Sequence, residues 1–122
     1  MRATALLLVG LLVGATASAQ DRPVYRPGND VSSPRLVNAV KPSYPEAAVS
    51  ARIEGTEVLT VVVLEDGTVG DVSVTQSVDA RYDFDGEAVK AAKQWTFRPG
   101  TKDGTPVPVY VTIQLLFTPP TP

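Results

Sequence analysis

The stretch Val107-Pro108-Val109-Tyr110-Val111-Thr112-Ile113-Gln114-Leu115-Leu116-Phe117 decides the fold. Val107, Val109, Val111, Ile113, Leu115 and Phe117 fall on every second residue. An extended chain sends alternate side chains to opposite faces, so these residues form one continuous apolar face. Pro108, Tyr110, Thr112, Gln114 and Leu116 make the other face, which is more polar. A helix could not gather this pattern on one side. The stretch therefore reads as a strand of a half-buried antiparallel sheet. The rest of the chain must provide its partners and a cover for its apolar face.

Working back from that strand, Thr101-Lys102-Asp103-Gly104-Thr105 is a turn, and Pro99 ends the segment Trp95-Thr96-Phe97-Arg98. Before it, Phe84, Ala88, Ala91 and Trp95 recur at helical spacing, with Asp83 or Asp85 placed to cap the start. Thr56 to Leu64 is the most β-prone run, apolar on both faces in its second half, and predicts a central strand. Glu65-Asp66-Gly67-Thr68 is a turn signal, and Val69 to Thr75 alternates again, so the two runs make a hairpin. Pro45 opens a short helix through Ala51, with Tyr44, Ala48 and Val49 as docking residues. The element order is helix, strand, strand, helix, strand. It predicts a two-layer α+β domain over residues 42–118, with a three-stranded antiparallel sheet and two helices on one face.

Outside this unit, residues 20–41 lack apolar periodicity and carry Pro23, Pro27 and Pro34, which reads as a flexible arm. Residues 119–122 form a proline-rich tail. At the other end, Met1-Arg2 precedes an apolar run from Ala3 to Gly14, and Ala17-Ser18-Ala19 fits a small-residue cleavage site. Residues 1–19 are read as a secretory signal peptide. An uncleaved anchor is the alternative, but the run is short against the about 20 residues needed to span a bilayer.

The 122-residue chain has no cysteine and no histidine, and a net charge of −2. Thiol nucleophiles, disulfides, zinc-type sites and imidazole bases are thereby removed, so no catalytic residue, metal site or cofactor is expected. Nor does a basic face invite nucleic acid. Asp83 and Asp85 sit at a helix start and read as caps, not as an acid/base pair. Trp95, on an apolar helix face, reads as core.

The ordered set Tyr44-Pro45-x-x-Ala48, Glu54-Gly55-Thr56, Asp66-Gly67-Thr68-Val69, Phe84-Asp85-x-x-Ala88-Val89-x-Ala91, Trp95-x-Phe97-x-Pro99-Gly100 and Gly104-x-Pro106-Val107 resembles the TonB C-terminal domain family. The resemblance runs from about Lys41 to Phe117. It implies a periplasmic module that binds the TonB-box peptide of an outer-membrane receptor by strand addition, in TonB-dependent transport. The implied peptide site is the last strand, Val109, Tyr110, Val111, Thr112, Ile113, Gln114 and Leu115, with Lys41, Pro42, Tyr44 and Pro45 beside it. Many family members have Gln-Pro where this chain has Lys41-Pro42, and a cation there would favour an acidic peptide. Full-length TonB has an uncleaved membrane helix that engages a motor complex, and a long spacer; this chain departs in both. Motor partners are therefore expected only if the N-terminus stays anchored.

The residues themselves support an open edge. From Val109 to Phe117 there is no Lys, Arg, Asp, Glu or Pro. Proteins normally blunt an exposed edge with such residues. An edge left unguarded suits an added peptide strand, and equally a homodimer.

Overall fold

The computed structural model describes residues 23–121. Its elements are β1 (Arg35–Asn38), α1 (Glu46–Ser50), β2 (Gly55–Val63), β3 (Val69–Gln76), α2 (Phe84–Ala92), β4 (Thr96–Arg98), β5 (Thr101–Lys102), β6 (Thr105–Pro106) and β7 (Val109–Phe117). The main sheet has the order β3-β2-β7, all antiparallel. β2 is its centre, as its doubly apolar second half predicts. β7 runs the full length of β2 in unbroken register, from Gly55 opposite Phe117 to Val63 opposite Val109.

The β2–β3 hairpin is set by its turn. Leu64 N–H donates to Thr68 O at 2.8 Å, and Asp66 Oδ1 accepts from Thr68 N–H at 3.0 Å. Gly67 has φ +87°, and a Cβ there would stand 2.1 Å from Phe97 O. Only glycine fits, because Phe97 N–H must reach Gly67 O, which it does at 2.8 Å. This bond fastens β4 to the hairpin turn.

Both helices lie on one face of the sheet. Leu59, Val61 and Val63 of β2 and Ile113 of β7 are buried with Ala88 and Ala92 of α2 and Phe97 of β4. Phe84, Phe117 and Ala48 form a second cluster, with Tyr44 at its rim. Its rings meet edge to face, Phe84–Phe117 at 4.9 Å, Tyr44–Phe117 at 5.5 Å and Tyr44–Phe84 at 5.6 Å between centroids. Such pairs add about 0.5–1.5 kcal/mol each beyond simple burial. The apolar face of β7 is thus covered by α2 along its middle and by Tyr44 and α1 at its C-terminal end.

Capping follows the sequence reading at Asp83, whose carboxylate accepts from Gly86 N–H at 3.1 Å. Pro45 stands one position earlier than expected. It is the N-cap of α1, with ψ 127°, not its first helical residue. Trp95 lies just past α2, partly buried, with its indole N–H donating to Val40 O at 2.8 Å.

Residues 23–40, expected to be a flexible arm, lie along the domain instead. β1 pairs with β4, Leu36 opposite Phe97. Val31 is buried, and Ser32 N–H donates to Thr101 O at 2.9 Å. Gly100 allows this approach, since a Cβ there would fall 2.5 Å from Ser32 O. The holds are mostly backbone hydrogen bonds, which leave no apolar period in the sequence. The tail docks too, with Arg52 Nη1 donating to Pro120 O at 2.9 Å. The expected signal peptide, residues 1–19, lies outside the described residues.

Candidate functional site

β7 is an edge strand, so one row of its backbone groups is free of β2. Tyr110 N–H donates to Tyr25 O at 2.9 Å, on the side away from β2. Alternation then assigns the rest of the strand. Tyr110, Thr112, Gln114 and Leu116 direct N–H and C=O outward, whereas Val109, Val111, Ile113 and Leu115 bond to β2. Among the described residues, the pairing on the outer side of β7 is the isolated parallel bridge of Tyr25 with Val109.

The residues expected at the site separate into two groups. Val109 and Ile113 are buried, and Val111 and Leu115 pack against the core, so their side chains build the strand. Tyr110, Thr112 and Gln114 lie on the other face, half-buried or exposed, and their backbones form the edge. Leu116 belongs with them and is 75% exposed. Sequence reasoning left it out of the site, although its place in the alternation is the signal that finds it.

The second expected segment comes to the same place. Lys41, Pro42 and Tyr44 line a recess of about 300 Å³ with Leu115, Leu116, Phe117, Thr118 and Pro120. Tyr44 is fixed by its ring contacts and by its hydroxyl, which donates to Ile53 O. Pro45 is not in this wall. It starts α1 and so aims Tyr44 at the recess. The recess is largely apolar with one cation, Lys41, at its rim. It continues the outer edge of β7 at the C-terminal end. An extended segment lying along Thr112, Gln114 and Leu116 would run into it.

A second recess of about 550 Å³ lies on the sheet face opposite the helices, lined by Val24, Thr60, Val62, Leu64, Pro108 and Tyr110 among others. Val62, which lines it, is buried although no described helix packs on this face.

One polar constellation has no counterpart in the sequence reading. Glu57 of β2 points into the core and is 0% exposed. Its Oε1 accepts from Val78 N–H at 2.9 Å, while Oε2 has no partner. Burial, and then the neighbouring Asp85 carboxylate, push its pKa up to about 7. Asp85 is held below its ordinary value by Glu57 and by Ser77, whose hydroxyl donates to it at 2.7 Å. The helix cap is Asp83; Asp85 instead accepts from Ser77 and stands as the neighbouring charge that a buried Glu57 feels. Among the described residues no cluster of acidic groups is gathered to hold a metal ion.

With this geometry in place, the comparisons with known proteins are specific. The family model for the Gram-negative bacterial TonB protein C-terminal matches residues 40–119. Protein TonB of Klebsiella pneumoniae is 32% identical over 84 residues, 69% of this chain and 34% of the relative. Protein TonB of Xanthomonas campestris pv. campestris (strain B100) is 40% identical over 75 residues, 62% of this chain and 32% of the relative. The chain thus spans about a third of the length of the curated relatives it matches. The solution NMR structure of the Pseudomonas aeruginosa TonB CTD superposes with a TM-score of 0.57 at 28% identity, covering 75% of this chain and 88% of that one. Family model, relatives and fold agree: the chain belongs to the TonB C-terminal domain family.

Proposed function

We propose that the domain is a periplasmic docking module for TonB-dependent transport, and that it takes the TonB-box segment of an outer-membrane receptor as an added strand along β7. The observation that carries this reading is the outward row of Thr112, Gln114 and Leu116, which has no strand against it among the described residues. Strand addition draws affinity from such main-chain groups and specificity from neighbouring pockets. Tyr110, Thr112 and Gln114 flank the added strand with their side chains. The recess of Lys41, Pro42 and Tyr44 receives its end, and the ammonium of Lys41 favours an acidic residue there.

The test is a titration of labelled TonB-box peptides against residues 20–122, in parallel with Thr112→Pro. Saturable binding that the proline removes supports the reading. Absence of binding at millimolar peptide overturns it.

The same free edge also suits pairing with a second copy, which the exposed Leu116 beside it favours. Sedimentation distinguishes the two: a dimer that Thr112→Pro dissociates, with no peptide binding, selects self-association.

A further inference from the structure

The first slot of the docking edge is already filled, by the chain itself. Tyr25 N–H donates to Pro108 O at 2.9 Å, and Tyr110 N–H donates to Tyr25 O at 2.9 Å. These are the bonds that an incoming parallel strand would make at Val109. Side chains on both sides hold the segment in place. The Arg26 guanidinium lies 4.7 Å from the centroid of the Tyr110 ring, and the Lys102 ammonium lies 5.0 Å from that of Tyr25. Val24 reaches over the sheet face into the recess beside Pro108 and Tyr110.

The hold on this segment is uneven. A few residues later the arm is anchored by buried Val31, by the Ser32 N–H bond to Thr101 O, and by the Ser32 hydroxyl, which accepts from Thr101 N–H at 2.9 Å. Residues 24–26 are half-buried or exposed and keep two main-chain bonds and two cation–ring contacts. The arm is thus anchored at Val31–Ser32, and residues 24–26 ahead of that anchor form a more lightly held strap.

We propose that Val24-Tyr25-Arg26 is an internal competitor for the docking edge, which a peptide must displace to extend past Thr112 to Val109. The inference rests on the reading of β7 as a docking edge. The strap is permanently tethered, so its local concentration is high and it re-forms quickly after release. Peptide affinity is then reduced by the fraction of molecules in which the edge is open. The strap also divides the edge by function. Thr112 to Leu116 and the Lys41 recess stay free for first contact, and Pro108 to Tyr110 becomes available only to a partner long enough to compete. A short segment binds the free half; a longer matching one gains the closed half as well.

The experiment uses residues 20–122 with two variants. Tyr25→Pro removes the N–H that bonds Pro108, and Arg26→Ala removes the stacking on Tyr110 while keeping the backbone unchanged. Amide hydrogen exchange without peptide reads the strap directly. Tyr110 N–H is protected in the parent chain and loses that protection in Tyr25→Pro. Two labelled TonB-box peptides are then titrated, one ending opposite Thr112 and one reaching Val109. The longer peptide gains about tenfold in affinity with Tyr25→Pro and less with Arg26→Ala, whereas the shorter one is unchanged. Equal affinity of the longer peptide for all three chains overturns the inference and leaves the docking reading standing. An unprotected Tyr110 amide in the parent chain overturns it as well. Failure of every chain to bind either peptide overturns the docking reading, and the competitor role falls with it. Arg26→Ala, a surface change, keeps the test valid if the proline variant melts early.

Discussion

Glu57 is the residue whose environment departs furthest from its chemistry. It sits on the inward face of β2, two residues from Leu59, in a core with no countercharge. Its ordinary value is 4.5 and its folded value about 7, raised first by burial and then by Asp85. Ionised, it leaves Oε2 bare; protonated, it can donate that proton to Asp85. The folded state therefore binds a proton that the unfolded state releases across the window from 4.5 to about 7. Stability is full below this window and falls as pH rises through it. Asp85 has the opposite sign, being depressed, and its contribution is lost only as pH drops below the ordinary carboxylate range. The melting temperature is expected to fall between about pH 5 and about pH 8, by an amount matching roughly 2–3 kcal/mol. Glu57→Gln keeps an oxygen for Val78 N–H and gains an N–H for Asp85. Its melting temperature should be nearly flat over the same range and exceed the parent at the upper end. A parent curve that is also flat would show that the carboxylate is solvated. Nothing in the sequence marks Glu57, because a lone acid in a β-branched run imitates an outward-facing residue. Its register in β2 is what turns it inward.

At the scale of the strand, the apolar alternation of β7 was fully legible, since one buried face must repeat every second residue. The cover over it was legible as well, in the spacing of Phe84, Ala88 and Ala91. What the pattern could not show was which backbone groups are free, because alternation alone does not say which neighbour lies on which side. The Tyr25 bonds settle it, and they support a paired prediction. Thr112→Pro removes an outward N–H that makes no bond to β2, and edge positions tolerate proline. Its stability should change little in urea unfolding while peptide binding is lost. Val111→Pro removes an N–H directed at β2, opposite Val61, and should cost about 3 kcal/mol or more. Equal losses for the two would mean that the strand's register is shifted. The β2–β3 turn gives a third case. Gly67→Ala meets both a φ of +87° and a carbonyl oxygen at 2.1 Å, so the turn and the β4 bond cannot both survive. Urea unfolding should show a loss of about 2 kcal/mol or more.

For the whole molecule, the decisive fact is where the chain enters the domain. Val24 and Tyr25 lie beside the outer edge of β7, at Pro108 and Tyr110, and not at the far end of the sheet. Whatever residues 1–22 are attached to is thereby tethered next to the site where a partner strand would lie. This makes the fate of the N-terminus a functional question. The arm escaped the sequence reading because Tyr25, Val31 and Ser32 are held singly, through main-chain groups, between prolines that signal irregular chain. The apolar run from Ala3 to Gly14 and Ala17-Ser18-Ala19 read as a signal for export with cleavage before Gln20, an expectation that lies outside the described residues. Cleavage there would leave a short free end ahead of the strap, so that the strap could leave the edge without pulling on a membrane. Retention would fix one end of the strap in the bilayer, so that force on the anchor would act directly on the edge. The chain recovered from an osmotic-shock fraction is expected to have the mass of residues 20–122. A chain of residues 1–122 confined to the membrane fraction would instead select the anchored transducer, with motor proteins as its further partners. It would also make release of Tyr25 from β7 depend on the position of that anchor.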